Sequence, residues 1–210
     1  MFSLVTLKDS VRIAPSKLAV DLEEALTDDL NGKYCNKVIP QCGLAILVYD
    51  FCSVGDPYVH PNDGSATVSV TFRLVVFRPF IGEVIVGKVR SCDELSGINV
   101  TLGFFDDIVI PPGLMPEGCR WDAGERVWVW SFNGNDMFID PEEPIRIRVL
   151  SEIFTESAPT PKELLMANAN QQNNLAPPPT PPPSQFTNPP YRLVGSIAED
   201  GLGLTSWWNS

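Results

Sequence analysis

Hydrophobic residues alternate strictly over one stretch: Val68, Val70, Phe72, Leu74 and Val76 interleave with Thr67, Ser69, Thr71, Arg73 and Val75. That period predicts a strand with one covered face and one wet face. Phe2–Leu7 forms a shorter apolar segment at the start, and Leu44–Tyr49 is a continuous apolar run of strand length. Such a run suits a central strand covered on both sides. Between them Leu18, Leu22, Ala25, Leu26 and Leu30 recur at helical spacing, with Ser16 placed to cap the start and Gly32 the end. Residues 1–80 therefore read as a small α+β domain, one helix lying on an antiparallel sheet.

The pattern changes after residue 80. Glu83–Arg90, Ile98–Leu102, Asp107–Ile110, Arg126–Trp130 and Ile145–Leu150 are short β-type segments separated by Gly and Pro. Five such strands over residues 81–157 fit a small closed barrel of the OB type. Alternation hides Ile85, Gly87, Val89, Ile145, Ile147 and Val149, and turns Lys88, Arg90, Arg146 and Arg148 outward. Residues 158–190 hold ten of the twenty prolines, including the run Pro177–Pro183, and read as a disordered or polyproline-like tether. Residues 191–210 regain apolar character, with a strand at Tyr191–Ile197 that docks back on the barrel or on a partner. Trp207 and Trp208 are expected to be buried there.

The formal net charge is −11, and it is unevenly placed: residues 81–157 carry six basic and fourteen acidic side chains. Bulk charge therefore argues against a protein that grips duplex DNA, which needs many phosphate contacts. No apolar stretch is long enough for a membrane helix, so no membrane partner is expected. The N-terminus lacks the basic and apolar regions of a signal peptide and reads as mature structure. Cys35, Cys42, Cys52, Cys92 and Cys119 are scattered and odd in number, which predicts buried free thiols. His60 is the single histidine, so neither a metal site nor a Ser-His-Asp triad is expected. Acidic pairs at Asp106-Asp107 and Glu142-Glu143 read as turn and surface charge. No cofactor is implied, and no convergent catalytic set is visible.

The segment Phe72–Glu83, containing Phe77-Arg78-Pro79-Phe80, resembles the interdomain signature of the stalk subunits shared by archaeal and eukaryotic RNA polymerases. Gly103–Pro111 and the closing Gly195–Ile197 and Gly201–Trp208 are similar to the RNA polymerase III branch of that family. The resemblance implies a truncated RNP-like domain followed by an S1-type OB barrel in a noncatalytic, nuclear subunit that assists initiation on short genes. It implies three partners: a small helical stalk subunit, the polymerase III core and nascent single-stranded RNA. The loop Cys52–Ala66, with His60, Pro61, Asn62, Asp63 and Gly64, matches the tip that the family sets against the core. Phe77, Arg78, Pro79, Phe80, Trp207 and Trp208 would pack within the chain or against a partner.

Lys88, Arg90, Arg146 and Arg148 would track RNA phosphates, and Phe104 or Phe105 would offer a ring to a base. Typical S1 domains carry an aromatic and a His where this chain has Asn99 and Ile110, which weakens the case for S1-type stacking. Two other readings remain open at this stage. One is a free-standing S1-type RNA-binding protein of translation or RNA decay. The other is an adaptor presenting Pro177–Pro183 to SH3- or WW-like domains.

Overall fold

A computed structural model describes residues 1–132, 134–155 and 189–208. The proline-rich tether expected over 158–190 lies outside the described residues except for Pro189 and Pro190. In chain order the N-terminal unit contains β1 (Phe2–Ile13), α1 (Leu22–Tyr34), β2 (Val38–Ile39), β3 (Gly43–Val54), β4 (Tyr58–Val59) and β5 (Ala66–Phe77). The second unit contains β6 (Val84–Asp93), β7 (Gly97–Thr101), β8 (Ile108–Ile110), β9 (Cys119–Asp122), β10 (Val127–Phe132) and β11 (Asn135–Ile139). It is completed by β12 (Pro144–Phe154), β13 (Tyr191–Ser196) and β14 (Gly203–Leu204).

β5 is the spine of the first sheet, pairing with β1 along its whole length and with β3 on its other side. Its alternate residues Val68, Val70, Phe72, Leu74 and Val76 are all fully buried, as their period requires. They meet Ala25, Leu26 and Leu30 of α1 in one core. β1 is twice the length expected, because Val11 and Ile13 continue its buried alternation past Leu7.

The helix differs from its predicted span. Pro15–Lys17 forms a separate 3-10 turn, and α1 begins at Leu22 after Asp21, so Leu18 stays outside and exposed. Glu23 and Glu24 in the first turn favour that start through the helix dipole. The helix then runs through Gly32, which was expected to end it. Tertiary contacts hold this last turn: Asn31 Oδ1 accepts the Val48 N–H at 2.9 Å, and the Tyr34 ring packs at a tilt against Phe72 while its hydroxyl donates to Asp9 at 2.8 Å.

β6, β7, β8, β13 and β12 close a five-stranded barrel. Four pairings are antiparallel, and β8–β13 is the parallel seam. Two expectations change here. Arg126–Trp130 is not a barrel stave, since β10 joins β9 and β11 in a separate three-stranded sheet. The fifth stave is β13, which comes from beyond the proline-rich segment and buries Tyr191 and Leu193. The β12–β13 hairpin is closed at its open end by the Thr155 N–H donating to the Pro190 carbonyl at 3.0 Å and by Phe154 stacked on Tyr191 at 4.6 Å.

β14 pairs with Ile145 and Arg146 of β12, and the 3-10 turn after it (Thr205–Trp208) carries the closing tryptophans. Trp207 lies over Gly203 and reaches Trp130 of β10, ring centres 4.7 Å apart, so this terminus staples the small sheet to the barrel. Neither indole is fully buried, contrary to expectation; Trp208 is 40% exposed because only its Nε1–H is tied down, to the Leu202 carbonyl at 2.8 Å. Gly203 has φ +92°, and a Cβ there would lie 2.3 Å from Cζ3 of Trp207. Gly203→Ala is expected to cost about 1–3 kcal/mol and to unstack Trp207 from Trp130. Near-UV circular dichroism reads this directly, and an unchanged tryptophan band would contradict the staple.

Candidate RNA and partner interfaces

β6 and β12 bring the four candidate cations to one outer face of the barrel, with Arg146 opposite Val86, Arg148 opposite Val84, and Lys88 opposite Pro144. They are not equivalent. Arg90 pairs with Asp106 at 3.1 Å and Arg148 with Glu199 at 3.0 Å. Arg148 also donates to the Gly82 carbonyl at 3.4 Å. Lys88 and Arg146 have no acidic partner among the described residues, so they carry the uncompensated positive charge of this face.

Phe104 and Phe105 lie in the turn between β7 and β8, not on a strand. Phe105 is 5% exposed, its ring against Phe77 at 5.2 Å and Tyr191 at 5.5 Å, and it presents no face to a base. Phe104 is 45% exposed but leans on Phe77 at 5.0 Å and Phe2 at 5.8 Å. Asn99 donates to the Ser91 hydroxyl at 3.1 Å, and Ile110 is fully buried. Neither position therefore offers a ring to a base.

The segment Cys52–Ala66 is more regular than a loop. β3 runs on to Val54, and β4 pairs with Ala66 and Thr67 to make a narrow hairpin. His60 closes it: its N–H donates to the Ser65 carbonyl at 2.8 Å, and its Nε2 meets Thr67 Oγ1 at 2.8 Å. Gly64 adopts φ +70°, which lets its own N–H return to the His60 carbonyl at 2.9 Å. Asp63 accepts from the Ser65 hydroxyl at 2.8 Å and its N–H at 3.1 Å, and pairs with Arg12 of β1. Pro61 and Asn62 stand exposed at the apex beside Tyr58 and Val59.

The Ser65 hydrogen bonds, with Arg12, hold the Asp63 carboxyl below its ordinary 3.8. A depressed carboxyl stabilises the folded hairpin above that ordinary value and loses its contribution as pH falls through the lower, folded value. The Ser65 amide resonance should therefore titrate with a midpoint below 3.8, and the Asp63→Asn variant should abolish that titration. A midpoint at or above 3.8 would deny the cap.

Sequence reasoning placed Phe77–Phe80 at the junction but not their partners. Phe77 is fully buried and belongs to the barrel core although it ends β5. Arg78 grips Glu152 of β12 through two nitrogens, at 2.5 and 3.0 Å, and donates to the Gln41 carbonyl. The Tyr191 hydroxyl reaches the same Glu152 at 3.4 Å, and burial raises its pKa far above the ordinary range. Phe80 and Ile81 are 65% and 66% exposed beside a cleft of about 310 Å³ lined by Arg78, Pro79 and Glu152. Val84, Val86 and Leu150 extend this apolar strip along the barrel. The alternation of β6 turns Val84 and Val86 outward with Lys88 and Arg90, a signal that sequence reasoning followed only for the cations.

All five cysteines are free, as expected, but none is fully buried and Cys52 is exposed. Desolvation pushes the Cys119 thiol up to about 11, which keeps it protonated at neutral pH. Among the described residues no three His, Cys, Asp or Glu side chains converge as a metal site would need.

Comparison with known proteins matches residues 83–208 to the family described as RNA polymerase III subunit Rpc25. Residues 8–64 match the SHS2 domain found in the N terminus of Rpb7p/Rpc25p/MJ0397. The chain is 39% identical over 215 residues to DNA-directed RNA polymerase III subunit RPC8 of Bos taurus, covering 100% of both chains. It is 40% identical over 212 residues to the Saccharomyces cerevisiae RPC8, covering 99% of this chain and 100% of that one. Against the Saccharomyces cerevisiae RNA polymerase II subunit RPB7 the identity is 28% over 151 residues, covering 71% of this chain and 86% of the relative. With an SHS2 unit joined through a shared core to an OB-type barrel, and with relatives matched from end to end, the chain belongs to the Rpc25 family of RNA polymerase III subunits, related to the Rpb7 and Rpo7 subunits.

Proposed function

We propose that this protein is a noncatalytic, nuclear stalk subunit of RNA polymerase III that assists initiation and works by being held between other macromolecules. The observation that carries this reading is the end-to-end identity with polymerase III subunits. The β4–β5 hairpin, rigid at its base and exposed at Pro61, Asn62, Tyr58 and Val59, docks on the polymerase core. A small helical subunit covers the apolar end of this face, from Phe80 and Ile81 to Val84 and Leu150; a helix with apolar residues at i, i+3 and i+4 suits such a strip. The other end of the same face, with Lys88, Arg90 and Arg146 and flanked by Phe104, meets nascent single-stranded RNA, while Arg148, opposite Val84, borders the covered strip.

Affinity purification of the tagged full chain from a eukaryotic cell tests this. Core polymerase III subunits and one small helical subunit should co-purify. Recovery of the chain alone, or with ribosomes or RNA-decay factors, would overturn the reading. In Ile81→Asp/Val84→Asp the small subunit should be lost while the circular dichroism spectrum is kept; retention of that subunit would refute the docking strip.

A further inference from the structure

The small sheet of β9, β10 and β11 carries an aromatic ladder whose Trp207–Trp130 contact staples it to the barrel and whose outer ring faces the polymerase reading does not use. Trp207, Trp130 and Phe132 follow one another with ring centres 4.7 and 5.0 Å apart. Phe132 is 51% exposed, and Trp130 and Trp207 are half-buried. Trp130 Nε1–H is satisfied by the Glu117 carbonyl at 3.1 Å. Trp207 Nε1–H meets no acceptor among the described residues. Three rings at this spacing cover about one turn of polyproline II, ~9.3 Å, whose backbone carbonyls are all unpaired. Aromatic-lined surfaces with a free indole donor are what proline-rich strands dock on.

We propose that this ladder is the docking site of the chain's own proline run, Pro177–Pro183. Three observations select that occupant. The run belongs to the segment that leaves the fold at Thr155 and re-enters at Pro189, two ends pinned together at the mouth of the β12–β13 hairpin. From there to Arg146, where β14 brings in Trp207, β12 measures nine residues, roughly 30 Å. Pro179 lies ten residues before Pro189, an extended reach of about 33 Å, and the arm from Thr155 is longer. Charge points the same way. Residues 175–188 carry no charged side chain, and beside the ladder Arg120 is paired with Asp136 at 2.5 Å, so that pair offers phosphate no uncompensated cation and leaves an uncharged, proline-rich occupant favoured. Docking in cis also covers indole surface that the fold leaves open.

The test uses the full chain with fluorine-labelled tryptophan, its five resonances assigned by single Trp→Phe variants. It is compared with a variant whose six prolines in the run are changed to Ser. The Trp130 and Trp207 resonances should shift between the two, while Trp121 and Trp128 hold still and report an intact fold. A synthetic peptide of residues 174–185 added to the variant should restore the shift and saturate. No shift between the two chains overturns the proposal. A shift that depends on protein concentration would assign the ladder to a second copy, and one restored by oligouridylate but not by the peptide would assign it to RNA; either also overturns it.

Discussion

Phe77→Ala should destabilise the whole protein by about 3–5 kcal/mol, the range for emptying a buried aromatic position. Phe77 ends β5, the spine of the N-terminal sheet, yet its ring sits among Phe2, Phe104 and Phe105 and belongs to the barrel core. The substitution opens a cavity where the two units meet and removes three aromatic contacts at once. Because the ring is shared, unfolding should remain one cooperative transition in the wild type and separate into two in the variant. Chemical denaturation followed by tryptophan fluorescence, which reports the barrel side, and by far-ultraviolet circular dichroism, which reports both, distinguishes these cases. Phe77→Leu, which keeps most of the volume, should recover more than half of the loss. A loss below about 1 kcal/mol, with the two probes still coincident, would mean that the units are merely adjacent.

That shared core explains what the sequence could disclose. The alternation of Val68–Val76 and of Ile85–Val89 determined which side of each strand is buried, because a half-covered sheet leaves no other register. The α+β unit followed by an OB-type barrel was legible for the same reason. Strand partners were not. Arg126–Trp130 and Tyr191–Ser196 have equal β character, and only tertiary pairing decides that the second closes the barrel while the first joins a separate sheet. The helix start was misjudged because Leu18 matches the apolar period, whereas the 3-10 turn at Pro15–Lys17 sets the chain direction first. The cations were correctly faced but not weighted. Arg148 finds Glu199 and Arg78 finds Glu152 across long sequence separations, and nothing in a local window marks such pairs. The candidate RNA face was thus visible as a row of four charges, while its division into two engaged and two free charges was not.

That division leads to the second large effect. Lys88→Glu/Arg146→Glu should weaken binding of single-stranded RNA to the full chain far more than removal of either engaged pair. Each phosphate neutralised on a single strand contributes about 0.7 to the slope of log K against log salt. Losing two contacts should flatten that slope by about 1.4 and, at 0.1 M salt, lower affinity on the order of 25-fold. Arg90→Gln/Asp106→Asn removes an arginine and its carboxylate together, leaves net charge unchanged, and should alter the slope little. An exposed ion pair contributes at most about 1 kcal/mol to stability, so the paired variant also folds and serves as an internal control. Fluorescence anisotropy with labelled oligouridylate over 50–300 mM salt reads both variants. If the Arg90/Asp106 variant loses as much as Lys88/Arg146, RNA follows the engaged edge of the barrel near Phe104. If neither variant changes the slope, this face is not the RNA contact at all, and its two free cations serve the acidic surface of a protein neighbour.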